Sequence, residues 1–328
     1  MNDAVTPSDP RAAAARAWAV AQLGLSACEF APASADASFR RYFRVTAAGG
    51  SWVVMDAPPE RENCEPFIRV AGLMKDAGLH VPEILAQDLV RGYLLLSDLG
   101  RQTYLHVIDE TNADALFADA IDALVRLQAA SRPAVLPPYD RALLDRELAL
   151  FPDWFVGRHL GRTLTAEETV LWQAACALLL DSALDQPRVY VHRDWMPRNL
   201  MQSTPNPGVL DFQDAVEGPV TYDPVCLFKD AFLSWPQARI DGWVAQYRAK
   251  AAAAGIPMPG DFERAFDWMG VQRHLKVLGV FARIRYRDGK PHYNADSPRF
   301  IRYVRDVASR WPELAPLVAL FDSLGLHA

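Results

Sequence analysis

The sequence predicts an α+β chain of two lobes, a small β-rich lobe followed by a larger helical one. Three observations carry this reading. Residues 25–100 alternate short β-branched and aromatic runs with Gly and Pro breaks, around one amphipathic helix. Beyond residue 100 the apolar spacing changes to that of long helices. The length, 328 residues, accommodates two domains of about 150 residues each.

Taken in order, Arg11 to Leu23 is an Ala-rich helix stopped by Gly24. Ser38 to Thr46 and Ser51 to Ala57 flank Ala47-Ala48-Gly49-Gly50, the pattern of a hairpin closed by Pro58-Pro59. Glu62 to Ala77 sets Phe67, Val70, Ala71 and Met74 at helical spacing. Val81 to Gln87 and Tyr93 to Ser97 are strands, so the small lobe reads β-β-α-β-β. The boundary is expected near Leu99 to Thr103, giving lobes at 1–100 and 101–328. Helices are then expected at Ala113–Ala130, Tyr139–Phe155, Ala166–Leu184, Pro224–Leu233, Pro236–Ala254, Phe262–Arg285 and Pro298–Leu324. Short strand-like pieces at Val189–Val191, Leu200–Met201 and Val209–Leu210 interrupt them. Such an arrangement predicts a cleft between the lobes.

Composition narrows the function classes. Hydrophobic residues at 51% and charged residues at 23% exclude a largely disordered chain. With 34 basic against 40 acidic residues the net charge is −6, which argues against a general nucleic-acid binder. The longest apolar runs, such as Ala174 to Leu180, are far short of the ~20 residues a membrane span needs. The N-terminal residues lack a basic segment followed by an apolar core, so no leader and a cytoplasmic location are expected. Cys28, Cys64, Cys176 and Cys226 form no CxxC pair and read as reduced thiols.

One segment carries chemistry: Val189-Tyr-Val-His192-Arg193-Asp194-Trp195-Met196-Pro197-Arg198-Asn199-Leu200-Met201. An apolar strand runs into His-Arg-Asp, and Asn199 stands five residues after Asp194. A second short strand ends in Asp211-Phe212-Gln213-Asp214, 17 residues beyond Asp194. Phosphoryl transfer asks for an oxygen acceptor to orient the attacking hydroxyl, and for oxygen ligands to a phosphate-bound Mg²⁺. Asp194 suits the first task, Asn199 and Asp211 the second, since Mg²⁺ usually takes only one or two protein oxygens.

His-Arg-Asp followed by Asn at this spacing resembles the catalytic loop of protein kinases, and the match is complete at all four positions. With Leu210-Asp-Phe and a helical second lobe, residues 25–300 resemble the aminoglycoside phosphotransferase and choline kinase group of small-molecule kinases. Four stretches resemble more specifically the family of bacterial anomeric kinases for N-acetylmuramate and N-acetylglucosamine. They are Ser38 to Arg44, Met55 to Pro59, His192 to Met201 and Val209 to Ala215. The resemblance implies a bilobal protein-kinase-like fold and ATP and Mg²⁺ as cofactors. It further implies transfer to the C1 hydroxyl of an amino sugar during peptidoglycan recycling.

Two kinase features are missing. Pro32 to Ser38 stands where a Gly-rich loop is expected, though small residues up to Ser38 still let backbone N–H groups approach phosphate. Met55 occupies the place of the strand Lys, and the first 228 residues hold one lysine, Lys75. A nucleotide site would recruit another cation, and Arg40 and Arg41 at the start of the first hairpin strand are the candidates. On alternation Arg41 shares the apolar face with Phe43 and Val45. The segment from Leu95 to Gly100 resembles the lobe connection that holds the adenine edge, which implicates Leu96, Ser97 and Leu99. Glu62 and Glu65, without a strand Lys to pair, read as surface charges.

For the sugar, Arg198 offers a guanidinium fork to a lactyl carboxylate, and Asp214 stands three residues past Asp211. Trp195, Phe232 and Trp235 are aromatic candidates for a sugar platform, Trp235 foremost, although a core role is the commoner one for each. Asp223, before Pro224, is expected to cap the helix that starts there and to support the loop. The expected partner is a small amino sugar, with no nucleic acid, no membrane, and a monomeric chain. Two other readings stay open on sequence alone. One is a kinase for aminoglycosides or another small hydroxyl compound; the other is a nucleotide-binding pseudokinase.

Overall fold

The structure is a computed structural model that describes residues 9–34 and 39–327. The chain divides into two compact units. The first comprises residues up to Asp109 with Arg198–Asp214, and the second Glu110–Pro197 with the residues from Ala215 onward.

The first unit is built on an antiparallel five-stranded sheet. Helix α1 (Pro10–Leu23) begins at Asp9, whose carboxylate accepts the Arg11 and Ala12 N–H groups, and stops at Gly24, whose φ of 63° suits glycine. Strands β1 (Glu29–Ser34), β2 (Arg41–Ala47) and β3 (Gly50–Asp56) follow, then α2 (Glu65–Asp76), β4 (Ile84–Asp88), β5 (Tyr93–Ser97) and α3 (Tyr104–Val107). The sheet order is β1-β2-β3-β5-β4. Arg41 stands opposite Asp56, and Met55 opposite both Tyr42 and Leu94.

Strand β1 was not anticipated. It contains Pro32 and little β-branched residue, and it is tolerated because an edge strand needs only one row of hydrogen bonds. Ala12, Ala15, Trp18 and Ala19 of α1 pack on Phe43, Val45, Val54, Tyr93 and Leu95 of the sheet. The small Ala side chains let the helix lie close. A polar clamp reinforces that contact. Buried Asp56 accepts Arg11 at 2.7 Å and Arg41 at 2.5 Å, and Arg41 also pairs with Asp9.

Residues 198–214 join this unit through backbone bonds. The Gln202 N–H donates to Gln102 and the Val209 N–H to His80. Two-residue strands Leu200–Met201 and Gly208–Val209 pair with each other. A Cβ on Gly208 would stand 2.9 Å from Leu99 Cδ1 and from Ser203 Oγ, so a side chain there would oblige both of those to move.

The second unit is helical. Its elements are α4 (Ala113–Ala129), α5 (Arg141–Leu148), a π-helix (Phe151–His159), α6 (Ala166–Leu184), α7 (Tyr222–Phe228), α8 (Gln237–Ala253), α9 (Phe262–Asp288), α10 (Ser297–Ala308) and α11 (Ala315–Ser323). Helix α6 keeps the limits its sequence sets, with a Thr165–Glu168 capping box at its start. Strands β6 (Arg188–Val191) and β7 (Val216–Pro219) form an antiparallel pair.

Three expected helices are shorter or broken. Tyr139–Phe155 divides into α5 and the π-helix, where Pro152 lacks a donor and the Leu150 backbone presses on Gly279 of α9. A Cβ on Gly279 would lie 2.3 Å from the Leu150 carbonyl carbon. The long terminal helix breaks before Pro312 into α10 and α11. Helix α7 ends at Phe228 because buried Asp230 captures the Phe232 and Leu233 N–H groups and turns the chain.

Candidate active site

Strand β6 delivers the His-Arg-Asp segment from a buried position, with Val189, Tyr190 and Val191 at 2% exposure or less. Its partner β7 must bring Gly218 against Tyr139, where any Cβ would lie 2.8 Å from the tyrosine Cβ. The chain then turns sharply. Arg193 has a φ of 77°, a left-handed conformation costly for a side-chain-bearing residue. Four contacts hold it. The Asp223 carboxylate accepts the His192 N–H at 2.7 Å and the Arg193 N–H at 2.9 Å. The Cys226 thiol donates to the Arg193 carbonyl, and the Arg193 guanidinium donates to Glu147 at 2.5 Å.

The next residues are fixed as well. His192 is buried, and its Nδ1 accepts the Asp194 N–H at 3.2 Å. Trp195 is fully buried, edge-on to the His192 ring, so it serves the core and not a sugar face. The Met196 N–H closes the turn onto the Asp194 carbonyl. Asp194 itself is half-buried. Asp223 lies within the first turn of α7, where Thr221 and not Asp223 takes the cap position, and it is entirely enclosed. Burial, with the Asp194 charge adding to it against the two N–H donors, pushes its carboxyl up to about 7.

In the first unit, Asn199, Asp211, Gln213 and Asp214 form a chain of oxygen-rich side chains. Asn199 Nδ2 lies 3.5 Å from Asp211 Oδ2. The Gln213 amide donates to Asp211 at 2.9 Å and to Asp214 at 3.3 Å. Asp211 takes a φ of 62°, and Phe212 beside it is fully buried against Phe67 of α2, ring centroids 4.8 Å apart. The Leu210 N–H donates to the Asn199 carbonyl, tying the two short segments together. The donor set suits a hard divalent cation: an amide oxygen and a carboxylate, all oxygen and no sulfur or imidazole. Among the described residues no group of three or more His, Cys, Asp or Glu side chains could hold a metal unaided.

The two arginine candidates part company. Arg41 is engaged by Asp56 and Asp9. Arg40 pairs with Glu62 at 3.0 Å with its side chain 14% exposed. Burial alone would lower the Arg40 guanidinium, but Tyr42, Glu62 and Asp214 outweigh it and hold it above its ordinary value. Glu62, expected at the surface, lies ahead of α2 as the counterion of this arginine; Glu65 opens α2. Ser38 lies outside the described residues.

Leu96 is buried on β5 between Val53 and Ile84. The Ser97 hydroxyl accepts the Glu83 N–H at 2.8 Å. Ser97 and Leu99 line a hollow of about 510 Å³ with His80, Glu83, Ser203 and Thr204. Sequence reading missed the clamp on this segment: Arg44 bonds both Asp98 oxygens, at 2.6 and 3.0 Å, and the Gly100 carbonyl at 2.6 Å. Burial lifts the Asp98 carboxyl, but hydrogen bonds from Arg44, Ser51 and the Gly100 N–H, with the Arg44 charge, together outweigh it and hold it below the usual range. The partners lie 54 residues apart, and no local pattern links them.

Arg198 is half-buried in the 3₁₀ turn Pro197–Asn199. Trp235, in the second unit, is half-buried and edge-on to Phe117 and Trp243, with Arg239 5.0 Å above its ring.

Comparison with known proteins decides the family. The model of the phosphotransferase enzyme family matches residues 29–268. This chain belongs to that family. A Pseudomonas putida protein named N-acetylmuramate/N-acetylglucosamine kinase is 63% identical over 89% of this chain and 87% of its own length. A Caulobacter vibrioides protein of the same name is 30% identical, over 88% and 89%. Among solved structures, the choline kinase LicA of Streptococcus pneumoniae has a TM-score of 0.63 at 14% identity, over 89% of this chain and 97% of that one. The ADP-bound aminoglycoside phosphotransferase APH(2'')-Ib has a TM-score of 0.61 at 14% identity, over 90% and 98%. The fold of this phosphotransferase is therefore the expected α+β, kinase-like one, with a five-stranded sheet in one unit and helices in the other. Among the described residues no helix is long and apolar enough to cross a membrane.

Proposed function

We propose that this chain is an ATP- and Mg²⁺-dependent kinase for N-acetylmuramate and N-acetylglucosamine. It phosphorylates the anomeric C1 hydroxyl and makes the sugar 1-phosphates of peptidoglycan recycling. The observation that carries the reading is the 63% identity, over 89% of the chain, to a protein bearing that name. Beside it stand the Asp223-held turn that carries Asp194 and the neighbouring side chains of Asn199 and Asp211.

In this reading the nucleotide is held by residues of the sheet-bearing unit. Asp194 accepts a hydrogen bond from the C1 hydroxyl and aims its oxygen at the γ-phosphorus. As the new P–O bond forms and the bond to ADP breaks, the hydroxyl proton passes to Asp194. A carboxylate is a weak base, but the transition state is loose and the proton moves late, so aim matters more than basicity. An anomeric hydroxyl is also more acidic than other sugar hydroxyls. Asn199 and Asp211 hold Mg²⁺, which when bound neutralises charge on the phosphate oxygens.

Arg40 supplies the cation that a strand Lys would otherwise bring, braced by Glu62 as such a lysine is braced by a helix Glu. Arg41 and the residues up to Ser38 border the same phosphates. Backbone groups of Leu96, Ser97 and Leu99 hold the adenine edge. Arg198 and Asp214 recognise sugar substituents, and Trp235 offers an aromatic face. The enzyme acts as a monomer in the cytoplasm.

The test is ATP consumption with Mg²⁺ against N-acetylmuramate, N-acetylglucosamine, kanamycin and choline, with ³¹P NMR of the product. A phosphorus doublet coupled to the anomeric proton, with the N-acetyl sugars alone, is expected. Turnover of kanamycin alone, or tight ATP binding with no turnover, would overturn the reading.

A further inference from the structure

Behind the catalytic turn lies a buried polar cluster that the proposed reaction does not use directly. Glu147, on α5, is 5% exposed. One of its oxygens receives the Arg193 guanidinium at 2.5 Å and the Lys276 ammonium at 2.9 Å. Its other oxygen accepts the Tyr139 hydroxyl. Lys276, on α9, also donates to the Tyr222 hydroxyl at 2.9 Å, and the Arg193 guanidinium lies 5.6 Å from the Tyr139 ring centroid. One carboxylate thus joins α5, α9 and the residue immediately before Asp194.

That residue needs a tether. Its left-handed backbone costs on the order of 1–2 kcal/mol, so the turn relaxes unless surrounding contacts over-determine it. Asp223 grips the backbone of the turn from one side, and Glu147 grips the side chain from another. A buried ion cluster is in general no better for stability than apolar packing, which leaves a stability role as a poor account of three charged groups here.

We propose that Glu147 is a positioning residue for phosphoryl transfer: by holding the Arg193 guanidinium it fixes the left-handed turn and so aims the Asp194 carboxylate. The inference rests on Asp194 being the group that receives the hydroxyl proton. It predicts an effect on kcat and little on binding, since Glu147 is buried and both its oxygens are engaged by Arg193, Lys276 and Tyr139.

The experiment compares Glu147→Gln, Asp194→Asn, their combination, and an apolar triple variant, Glu147→Leu with Arg193→Met and Lys276→Met. Each is followed by kcat, by KM for ATP and sugar, and by thermal unfolding. Glu147→Gln is expected to lower kcat by about 10²-fold, the usual result of misplacing a reacting group by about 1 Å. Both KM values should stay within about twofold, well inside the tenfold that 1.4 kcal/mol represents. The triple variant removes the unpaired-charge penalty, so its unfolding midpoint recovers while kcat stays low. In the Asp194→Asn background, Glu147→Gln should change the residual rate by less than about twofold, because groups acting as one unit are not additive.

Wild-type kcat in a folded triple variant, or additive losses in the combination, would overturn the positioning role and leave Asp194 standing. Wild-type kcat in Asp194→Asn alone would remove the mechanism on which the inference rests. Should both Glu147 variants fail to fold, Glu147→Asp keeps the charge and shortens the arm. It should fold and lose kcat; full kcat there would also overturn the proposal.

Discussion

The carboxylate of Asp223 accepts two consecutive backbone N–H groups, from His192 at 2.7 Å and from Arg193 at 2.9 Å. An asparagine there presents one acceptor oxygen and one donor amide, so one N–H in the turn loses its partner. Asp223→Asn should therefore destabilise the fold by about 1–3 kcal/mol, the cost of a buried unsatisfied donor. It should also lower kcat more than either KM. Denaturant unfolding and steady-state kinetics check both expectations, and an unchanged kcat would detach Asp223 from catalysis.

The same carboxyl makes a pH-dependent contribution to stability. Its value in the folded chain is about 7, against 3.8 when exposed, with burial the main cause. A group raised in the folded state stabilises most below its unfolded value and loses that contribution as pH rises through the folded one. The stability of the wild type relative to Asp223→Asn should thus fall between pH 4 and pH 7. Glu147 behaves oppositely. Lys276 and Arg193 overcome burial and hold its carboxyl at about 2, so its contribution is lost as pH falls from 4.5 toward 2. Paired unfolding curves across pH 2–8 read both slopes, each group against its amide variant.

Arg40 pairs with Glu62 at 3.0 Å within a mostly enclosed setting. If Arg40 is the phosphate cation proposed above, its replacement by Gln should remove a charge-assisted contact of about 1.5–3 kcal/mol, a rise of roughly tenfold or more in KM for ATP. Arg41→Gln, by contrast, should act mainly on stability, because Asp56 and Asp9 already hold that guanidinium. Equal KM effects from the two variants would refute this division.

Asn199 and Asp211 stand 3.5 Å apart, side chain to side chain. Removing divalent cations with EDTA should abolish phosphate transfer, and Mg²⁺ should restore it. If Asn199 is the Mg²⁺ ligand proposed above, Asn199→Ala should raise the Mg²⁺ concentration for half-maximal rate by roughly tenfold or more, as a lost ligand outweighs the 10-fold floor for outer-shell changes. A titration at saturating ATP measures it.

Asp56 is fully buried and bears two guanidiniums, of Arg11 and Arg41. Both arginines are about a third exposed, so water screens part of the attraction. Asp56→Ala should still cost on the order of 2 kcal/mol, less than the 3–5 kcal/mol of a fully buried pair. The check is a fall in unfolding midpoint that Asp9→Ala reproduces only in part.

The elements legible in the sequence are those encoded locally. Helix α6 has its cap box and apolar spacing within one stretch, and the His192–Asn199 segment carries its pattern in eight contiguous residues. Asp223 as a support for the turn was also readable, from its place before Pro224. What escaped depends on partners distant in the chain. Arg193 meets Glu147 across 46 residues and Arg44 meets Asp98 across 54, and no periodicity announces either pair. Strand β1 escaped because Pro32 and its Ala residues lack β propensity, and neighbouring β2 alone recruits it. The π-helix follows from Gly279, more than 100 residues later, where Leu150 presses against α9.

Phe212, fully buried on Phe67, separates Asp211 from the Gln213–Asp214 pair. Pulling that ring into water would cost about 1.5–3 kcal/mol, leaving a displaced arrangement at under about 10 per cent of molecules. The side chains flanking it are consequently in place in most molecules. That segment therefore has no slow rearrangement of its own to complete before a ligand arrives, and its side chains meet the ligand already spaced.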